Sequence, residues 1–451
     1  MTLATRKATQ KYVRFNDDLC VSCAGCVKAC PTRALRIKKN NHIHLVEQCI
    51  GCCECVRICP TGAVSTDISA VKSFVDNDTY SVAIASPVLF SQFPGVMPND
   101  VFQAIKKMGF RYVIDITFYI EMFQLAAEEF IIRNRERGSA PWPLISPICP
   151  VVIRLIAFRF PNLLPNILPI KRPITLAAKE AKEKLKRTAE KEEKEVTVYH
   201  VTPCPSKILK NHSSHLKEFP YIDQSLGIND VYPEMIRELE KIRNAELNPF
   251  RRDSLNVFPG APGIAWGMSG GEVSGIRNDR SLAVSGLKET INYLEKIEMG
   301  LFRDVEYVEF RTCPEGCLGG PLTATDKYLA KSFVHRMVRE LGFGRRLPRQ
   351  KILKPYETGW FFTERSADHL ADLYVPLKAP LSIDALNDIE TLEKMIKGKN
   401  CAVCGAPDCR TFAEDIVSGR SSIDDCLMFR VRKATKKKVQ TKNIHSQAQK
   451  R

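Results

Sequence analysis

Cysteine placement constrains this chain more than any other feature of its sequence. The chain has 451 residues and 17 cysteines, and all of the cysteines except Cys53 fall into four sets of four. Two sets are short runs near the N-terminus, one is spread through the middle, and one is compact and close to the C-terminus. Sets of four thiolates bind iron–sulfur cubanes or structural zinc. The fold is therefore expected to be built around metal centres.

The two N-terminal runs share the spacing C-x-x-C-x-x-C-x-x-x-C-P, which is that of bacterial two-cluster ferredoxins. In that arrangement the fourth cysteine of each run binds the cluster of the other run. The expected ligands of cluster 1 are Cys20, Cys23, Cys26 and Cys59, and those of cluster 2 are Cys49, Cys52, Cys55 and Cys30. Zinc also accepts four thiolates, but doubled runs with trailing prolines are typical of ferredoxins. Cys53 is expected to be a buried thiol without a ligand role.

Length and composition predict a soluble protein of about three domains. No apolar stretch reaches the roughly 18 residues that a membrane helix needs, and the polar sequence after Met1 does not resemble a secretion signal. In such a chain, C-x-x-C runs indicate reduced metal ligands rather than disulfides. A cytoplasmic location is therefore expected.

The formal net charge of +16 raises the question of nucleic-acid binding. Clusters with four thiolates add negative charge that this count ignores, and they are more easily reduced among cations. Much of the remaining charge lies in the tail at 430–438. No helix-turn-helix or stacking pattern accompanies the charge, so we do not expect a nucleic-acid partner.

Changes along the sequence in apolar runs, charge and Gly/Pro content predict the domain organisation. The expected boundaries are 1–75 for an α+β ferredoxin-like domain, 78–345 for an α/β domain with mainly parallel sheets, 346–383 for a connecting segment, 384–432 for a small Fe–S domain and 433–451 for a basic tail. In the α/β domain, apolar runs predict strands at 80–85, 111–116 and 196–201 and a helix at 98–109 opened by Asn99 and Asp100. The Lys/Glu-rich stretch 177–195 is expected to be a solvated helix or loop insertion.

Three separate segments carry the central cysteines. Cys149 lies in Ser-Pro-Ile-Cys-Pro at 146–150, Cys204 lies in Thr-Pro-Cys-Pro-Ser-Lys at 202–207, and Cys313 and Cys317 lie in the Gly-rich stretch 309–321. Their order and surroundings resemble the catalytic domain of [FeFe]-hydrogenases, which carries the signatures TSCCPxW, MPCxxKxxE and ExMACxxGCxxGGGxP. The resemblance covers roughly residues 78–345. Four unrelated buried thiols are the plain structural alternative.

This resemblance implies an H-cluster, in which a cubane is joined to a di-iron half. Cys149, Cys204, Cys313 and Cys317 would bind the cubane, and Cys317 would bridge to the di-iron half. Lys207 would donate a hydrogen bond to a cyanide of that half. Gly316, Gly319 and Gly320 would let the backbone approach the cluster. Trp142 and Trp266 are expected to wall the pocket, and His200 to be a core histidine.

Departures from the family pattern concern proton transfer. Ile148 stands where the standard catalysts have a relay cysteine, Thr202 replaces a methionine, and Lys210 replaces a glutamate. Isoleucine carries no proton, and general acid–base steps contribute about 10²–10⁴-fold, so turnover is expected to be slow. The family's helix with relay carboxylates would lie near 118–130. Its register against this sequence is ambiguous, so neither Glu128 nor Glu129 is assigned as a proton relay. The combination resembles the sensory branch of the hydrogenases.

The fourth set resembles the small four-cysteine Fe–S domain attached to several redox proteins. Its ligands would be Cys401, Cys404, Cys409 and Cys426. A zinc ribbon is the alternative for this spacing. Members of the sensory branch often carry a further signalling domain, and none is expected after Cys426. Any output is therefore expected to pass through a signalling partner.

Three functional hypotheses follow. The first is a low-turnover hydrogenase-like protein that senses hydrogen or redox state in an anaerobic cytoplasm. The second is an electron-transfer protein with a central cubane but no di-iron half. The third is a competent hydrogenase with another proton path. In each of them four [4Fe–4S] clusters form an electron-transfer chain. A soluble ferredoxin or a flavin-containing Fe–S subunit would exchange electrons with that chain.

Overall fold

The computed structural model describes residues 12–37, 42–46, 49–66, 79–208, 220–245, 260–342, 344, 347–363, 382–396, 399–433 and 435. These residues divide between two compact units. The first unit comprises 1–49, 53–67 and 376–451, and the second comprises 50–52 and 68–375. No described helix is long and apolar enough to cross a bilayer.

The N-terminal part of the first unit consists of two antiparallel strand pairs and two short helices. Its elements are β1 (Val13–Phe15), α1 (Gly25–Ala29), β2 (Leu35–Ile37), β3 (Ile43–Leu45), α2 (Glu54–Ile58) and β4 (Val64–Thr66). β1 pairs with β4, and β2 pairs with β3. Each helix begins inside a cysteine run, directly after a left-handed residue: Ala24 with φ 59° and Cys53 with φ 55°. Cys53 is buried, as predicted, and it repeats the turn made by Ala24.

Two parallel sheets form the framework of the second unit. Its strands are β5 (Thr79–Ala85), β6 (Tyr112–Ile114), β7 (Leu144–Ile145), β8 (Glu195–Thr202), β9 (Gln224–Gly227), β10 (Ser281–Ser285) and β11 (Tyr307–Arg311). One sheet has the order β6-β5-β8-β9 and the other the order β10-β11-β7. All of their pairings are parallel, so the prediction of mainly parallel sheets is confirmed.

Helices cover these sheets. The α-helices are α3 (Pro98–Lys107), α4 (Ile116–Arg137), α5 (Pro150–Arg159), α6 (Pro173–Lys191), α7 (Ile228–Ala245), α8 (Ala261–Ala265), α9 (Leu287–Glu298), α10 (Lys327–Leu341) and α11 (Gln350–Glu357). Short 3₁₀ turns lie at Pro87–Gln92, Pro161–Asn166, Pro205–Lys207, Val273–Gly275 and Gly316–Gly319. The predicted strands at 80–85 and 196–201 correspond to β5 and β8.

Element boundaries differ from the predictions where a side chain or a proline caps a helix. β6 is shorter than the predicted strand at 111–116 because Asp115 caps α4, accepting a hydrogen bond from the Thr117 amide at 2.9 Å. The helix predicted at 98–109 begins with Pro98 at its first turn and Met97 as its cap. Asn99 and Asp100 therefore lie inside the first turn rather than opening the helix.

The prediction of a solvated helix or loop insertion at 177–195 is confirmed as a helix as far as Lys191 but is wrong about the solvation. Residues 173–191 form α6, and its side chains Ala177, Ala178 and Ala181 are buried in the core of the second unit. Alanine provides a narrow apolar face that is easily overlooked among lysines and glutamates, yet it lets a helix pack closely.

Part of the predicted connecting segment 346–383 also packs into that core. Ile352 and Tyr356 of α11 are buried there, and so is Phe361 just beyond the helix. The domain boundaries drawn from the sequence stay predictions, but residues 350–362 contribute to the second unit rather than only linking domains.

The C-terminal part of the first unit contains α12 (Ile383–Ile396) and α13 (Cys409–Val417). Asp408 caps α13 by accepting a hydrogen bond from the Thr411 amide at 2.7 Å. Phe412 and Ile396 pack around Cys409 and Cys426 in a small core.

Replacing Phe361 tests the structural role of residues 350–362. Phe361→Ala should lower the free energy of unfolding by about 3–5 kcal/mol, because it leaves a cavity in a packed core. Phe118, whose side chain is 45% exposed, is the matched control, and Phe118→Ala should cost less than about 1 kcal/mol. Anaerobic urea unfolding checks both values. Equal costs for the two variants would contradict the placement of this segment.

Candidate metal centres

Strand ends from both parallel sheets deliver the central cysteines. Cys149 follows β7 and stands at the N-terminus of α5. Cys204 follows β8, and Cys313 follows β11. Cys317 lies in the 3₁₀ turn Gly316–Gly319. Since carboxyl ends of parallel strands are where open sheets place their sites, four distant thiols reach one location.

These four thiols line a single cavity of about 20 Å³, which holds about one water molecule. The other side chains and backbone segments that line it include Gly51, Cys52, Ile148, Pro203, Lys207, Arg311, Thr312, Gly320 and Pro321. The Cys149 sulfur lies 3.7 Å from the Thr312 hydroxyl. The structure thus brings the four predicted ligands together. Their binding of a cluster stays a prediction.

Burial raises the pKa of two of these thiols, Cys204 and Cys317. It raises the pKa of Cys204 to about 11, although the nearby Lys207 ammonium acts against the shift. Burial likewise raises the pKa of Cys317, with Arg311 and Lys207 opposing it. Such thiols are poor nucleophiles. Binding of iron would displace their protons and leave thiolates that face two cations.

Arg311 is the most unusual side chain at this cavity. It is 1% exposed, and its Nη2 donates to Glu272 Oε2 at 2.6 Å. Its Nε lies 3.7 Å from Glu309 Oε1, too far for a hydrogen bond, and its Nη1 has no hydrogen-bond partner among the described residues. A buried donor without a partner is costly. An anionic cluster held by the four thiols would give it one, so the residues present fit a cubane.

Arg311 was not predicted as a site residue, although it departs from the family pattern in the third signature. The third signature, ExMAC, has methionine where this chain reads Glu309-Phe310-Arg311-Thr312-Cys313. A cation in place of an apolar side chain two residues before a ligand changes the charge around that ligand.

Two buried glutamates hold Arg311 in place. Glu272 also accepts a hydrogen bond from the Tyr307 hydroxyl. Glu309 accepts from the backbone amides of Gly270, Glu272 and Val273 at 3.3, 3.0 and 3.1 Å. Burial raises the pKa of Glu309 to about 7, because desolvation and the neighbouring Glu272 outweigh Arg311 and the amides. The Ser-Gly-Gly-Glu segment is thereby tied to β11.

Close backbone packing explains the glycines of the third signature. Gly316 has φ +73°, and a Cβ there would lie 2.5 Å from the Ser269 amide nitrogen. A Cβ on Gly320 would lie 2.5 Å from the Pro203 carbonyl oxygen, and one on Gly319 would lie 2.2 Å from that of Pro314. These glycines were predicted to let the backbone approach the cluster. In the structure they let the signature loops pack on neighbouring backbone, and Gly320 also lines the cavity.

The wall beside Cys149 is apolar. Ile148 is 4% exposed and lines the cavity. Thr202 is buried behind Cys204, whose amide donates to the Thr202 hydroxyl at 3.3 Å. Lys210 lies outside the described residues. His200 is buried in β8, and burial holds its pKa well below the usual value, so its ring is neutral.

Neither predicted tryptophan is among the residues that line this cavity. Trp142 lies in a separate pocket with Arg135 and Glu306. Trp266 does not line the cavity but stacks near Arg311, whose guanidinium carbon lies 5.6 Å from the ring centroid. The expectation that both rings wall the pocket is therefore wrong.

Carboxylates of α4 have structural partners in the second unit. Glu129 pairs with Arg133 at 2.8 Å and also with Arg349, and these hydrogen bonds outweigh burial and hold its pKa below the usual value. Glu128 accepts a hydrogen bond from the Arg277 amide. Glu121 is buried and accepts from the Leu347 amide at 3.1 Å. None of the three is among the residues that line the central cavity.

The N-terminal cysteines of the first unit lie close enough to influence one another, and their assignment to two crossed ligand sets stays a prediction. Burial raises the pKa of Cys26 to about 11, and the thiols that add to this effect are Cys20, Cys23 and Cys59. Burial also raises the pKa of Cys55, with contributions from Cys49, Cys30 and Cys26. Cys52 belongs to the second unit, where it lines the central cavity.

The C-terminal set forms a similar group. Burial raises the pKa of Cys404 to about 11, and Cys426 and Cys401 add to this effect. Cys409 begins α13, and its amide donates to the Asn400 side chain at 2.9 Å.

No three His, Cys, Asp or Glu side chains within the described ranges are arranged to hold a single metal ion. Ligands of a cubane do not converge in that way, because each thiolate binds a different iron.

Three segments of the chain match known family models. Residues 79–277 match "Iron only hydrogenase large subunit, C-terminal domain". Residues 12–60 match "4Fe-4S dicluster domain", and residues 398–428 match "Putative Fe-S cluster". The first match includes Cys149 and Cys204 but ends before Cys313.

Two curated relatives are hydrogenases. Iron hydrogenase 1 of Clostridium pasteurianum is 24% identical over 221 residues, which are 47% of this chain and 37% of that protein. The periplasmic [Fe] hydrogenase large subunit of Nitratidesulfovibrio vulgaris is 27% identical over 294 residues, which are 61% of this chain and 69% of that protein. The chain thus matches little more than a third of the first relative.

Among solved structures, an [FeFe]-hydrogenase from Chlamydomonas reinhardtii is 16% identical, with a TM-score of 0.45 over 67% of this chain and 95% of that one. Together the family models and the curated relatives confirm the prediction of a hydrogenase-like iron–sulfur protein. The sensory branch and the cytoplasmic location stay predictions, and one relative is periplasmic by its name.

A double-mutant cycle tests the ion pair behind the central cavity. Glu272→Gln should lower the free energy of unfolding by about 3 kcal/mol or more, because it leaves the Arg311 charge buried without its partner. Adding Arg311→Met should recover much of that loss, since both members of the pair are then neutral. Glu289→Gln, on the exposed face of α9, is the control and should have little effect. Additive costs for the two substitutions would contradict the pairing.

Proposed function

We propose that this chain is an iron–sulfur redox protein with four [4Fe–4S] clusters, whose hydrogenase-like central site serves low-turnover or sensory hydrogen chemistry. The observation that carries the proposal is the convergence of Cys149, Cys204, Cys313 and Cys317 on one cavity that also contains two cations. The matches to a dicluster domain and to an Fe–S cluster domain support the other three clusters.

A cubane at the central site would transfer single electrons, and a di-iron half would add hydrogen oxidation or proton reduction. Within the chain, the four cysteines would hold the cubane, with Cys317 placed to bridge. Lys207 would donate to an anionic ligand on the di-iron side. Arg311 would provide a fixed positive charge, which favours the more negative, reduced cluster.

Ile148 supports low turnover. It occupies the cavity wall next to Cys149, and its buried side chain has no group that can bind or release a proton. Ile148 itself could not pass a proton, although the Thr312 hydroxyl lies 3.7 Å from the Cys149 sulfur. Proton transfer at this wall would therefore have to avoid Ile148.

A specific observation also favours an electron carrier without a di-iron half. Arg311 occupies the place that methionine has in the hydrogenase signature, and its fixed positive charge suits an anionic cubane. In that case the central cubane would be one more cluster in the electron-transfer chain.

The exchange partner would be a soluble ferredoxin or a flavin-containing Fe–S subunit, and a sensory role would add a signalling partner. These partners follow from the hydrogenase-like domains, which exchange single electrons.

Infrared spectroscopy separates the two functions. Protein purified anaerobically after expression with hydrogenase maturation factors should show carbonyl and cyanide stretches that are absent without those factors. Bands would establish a di-iron half. Their absence, with about sixteen irons per chain, would establish an electron carrier with four cubanes. Much less iron in protein with native secondary structure would contradict both functions.

Ile148→Cys tests the missing proton path. If the di-iron half is present, hydrogen turnover should rise by about 10²-fold or more, because a thiol can relay protons. Ile148→Val is the control and should leave turnover unchanged, since valine carries no proton either. Unchanged turnover in the cysteine variant, with the infrared bands intact, would show that Ile148 does not limit the rate.

A further inference from the structure

A buried ion pair fixes the C-terminal cysteine domain against β2 within the first unit. Arg36, which is 7% exposed, donates from Nε and Nη2 to the two carboxylate oxygens of Asp415 at 2.5 and 3.1 Å. Its Nη1 donates to the backbone carbonyls of Arg33 and Leu35 at 2.8 and 2.9 Å. A bidentate, buried pair of this kind specifies one geometry.

Backbone contact reinforces this interface. The Ile37 amide donates to the Gly405 carbonyl at 3.2 Å. Gly405 has φ +85°, and a Cβ there would lie 1.9 Å from the Ile37 carbonyl oxygen. Arg33 adds an ion pair with Asp408 at 3.2 Å. Gly405 directly follows the ligand Cys404, so this close approach brings the fourth cysteine set towards the N-terminal clusters.

The two cysteine sets share one cavity. It measures about 870 Å³ and is lined by Cys23, from the cluster 1 set, and by Cys401 and Cys404, from the C-terminal set. Arg36 and Arg420 also line it. Cys23 is exposed, whereas Cys26 of the same set is buried, so cluster 1 would present its Cys23 side to this cavity.

We propose that the C-terminal cluster exchanges electrons directly with cluster 1, so that the two stand in series. This inference rests on the proposed four clusters. One electron passes from the reduced C-terminal cubane to oxidised cluster 1, and no bond or proton changes. A low-potential one-electron carrier supplies that electron. Tunnelling falls steeply with distance, so facing thiols across a shared cavity make this the favoured path, and the cations beside it stabilise the reduced clusters.

Electron paramagnetic resonance of the intact, dithionite-reduced protein tests the proposal. Neighbouring reduced cubanes interact magnetically, so their spectra do not add. We expect the wild-type spectrum minus that of Cys401→Ser/Cys404→Ser, which lacks the C-terminal cluster, to contain features of interacting spins. Cys53→Ser removes a thiol outside the ligand sets and should leave the spectrum unchanged.

A difference spectrum equal to that of one isolated cubane would overturn the series arrangement. Iron content separates this failure from that of the proposed function. About sixteen irons per wild-type chain with additive spectra would overturn the series arrangement alone. Far fewer irons in wild type would overturn the four-cluster proposal and the series arrangement with it.

Discussion

Bringing four thiols into one buried cavity is the constraint on which the second unit depends. Burial raises the pKa of Cys204 and of Cys317, so thiolate ligands there need positive charge nearby. Arg311 and Lys207 provide it. A buried guanidinium needs its own partner, and Glu272 supplies one. Glu309 then fixes the Glu272 segment through backbone amides. The central site thus depends on the strand ends that carry the cysteines, on the two cations beside the thiols, and on the two glutamates that hold Arg311.

The site is better arranged for electrons than for protons. Ile148 closes the wall beside Cys149, and Arg311 brings a permanent charge where the hydrogenase signature has an apolar side chain. Arg311 would stabilise an anionic cluster, and Ile148 has no group that can transfer a proton. The carboxylates of α4 act within the fold, since Glu129 is paired with two arginines. The central site thus combines four converging thiols with a buried isoleucine beside Cys149.

The cysteine spacing, several strands and the parallel pairing could be predicted from the sequence, whereas long-range side-chain pairs could not. The cysteine runs, β5, β8 and the parallel sheets follow from local patterns. The alanine face of α6 was missed because its apolar signal is small. Glu272 and Arg311 are 39 positions apart, and Arg36 and Asp415 are 379 apart, so no local pattern joins them. The glycines of the third signature could be recognised, but their packing partners Ser269 and Pro203 could not.

The most direct test of the central site is iron analysis with Mössbauer spectroscopy on wild type and on Cys204→Ala. Cys204 is a proposed ligand at the central site and at no other, so the variant should lose about four of sixteen irons and one cubane component, while the other three clusters remain. Unchanged iron and an unchanged spectrum, in protein that folds normally, would show that the converging thiols do not hold a cluster.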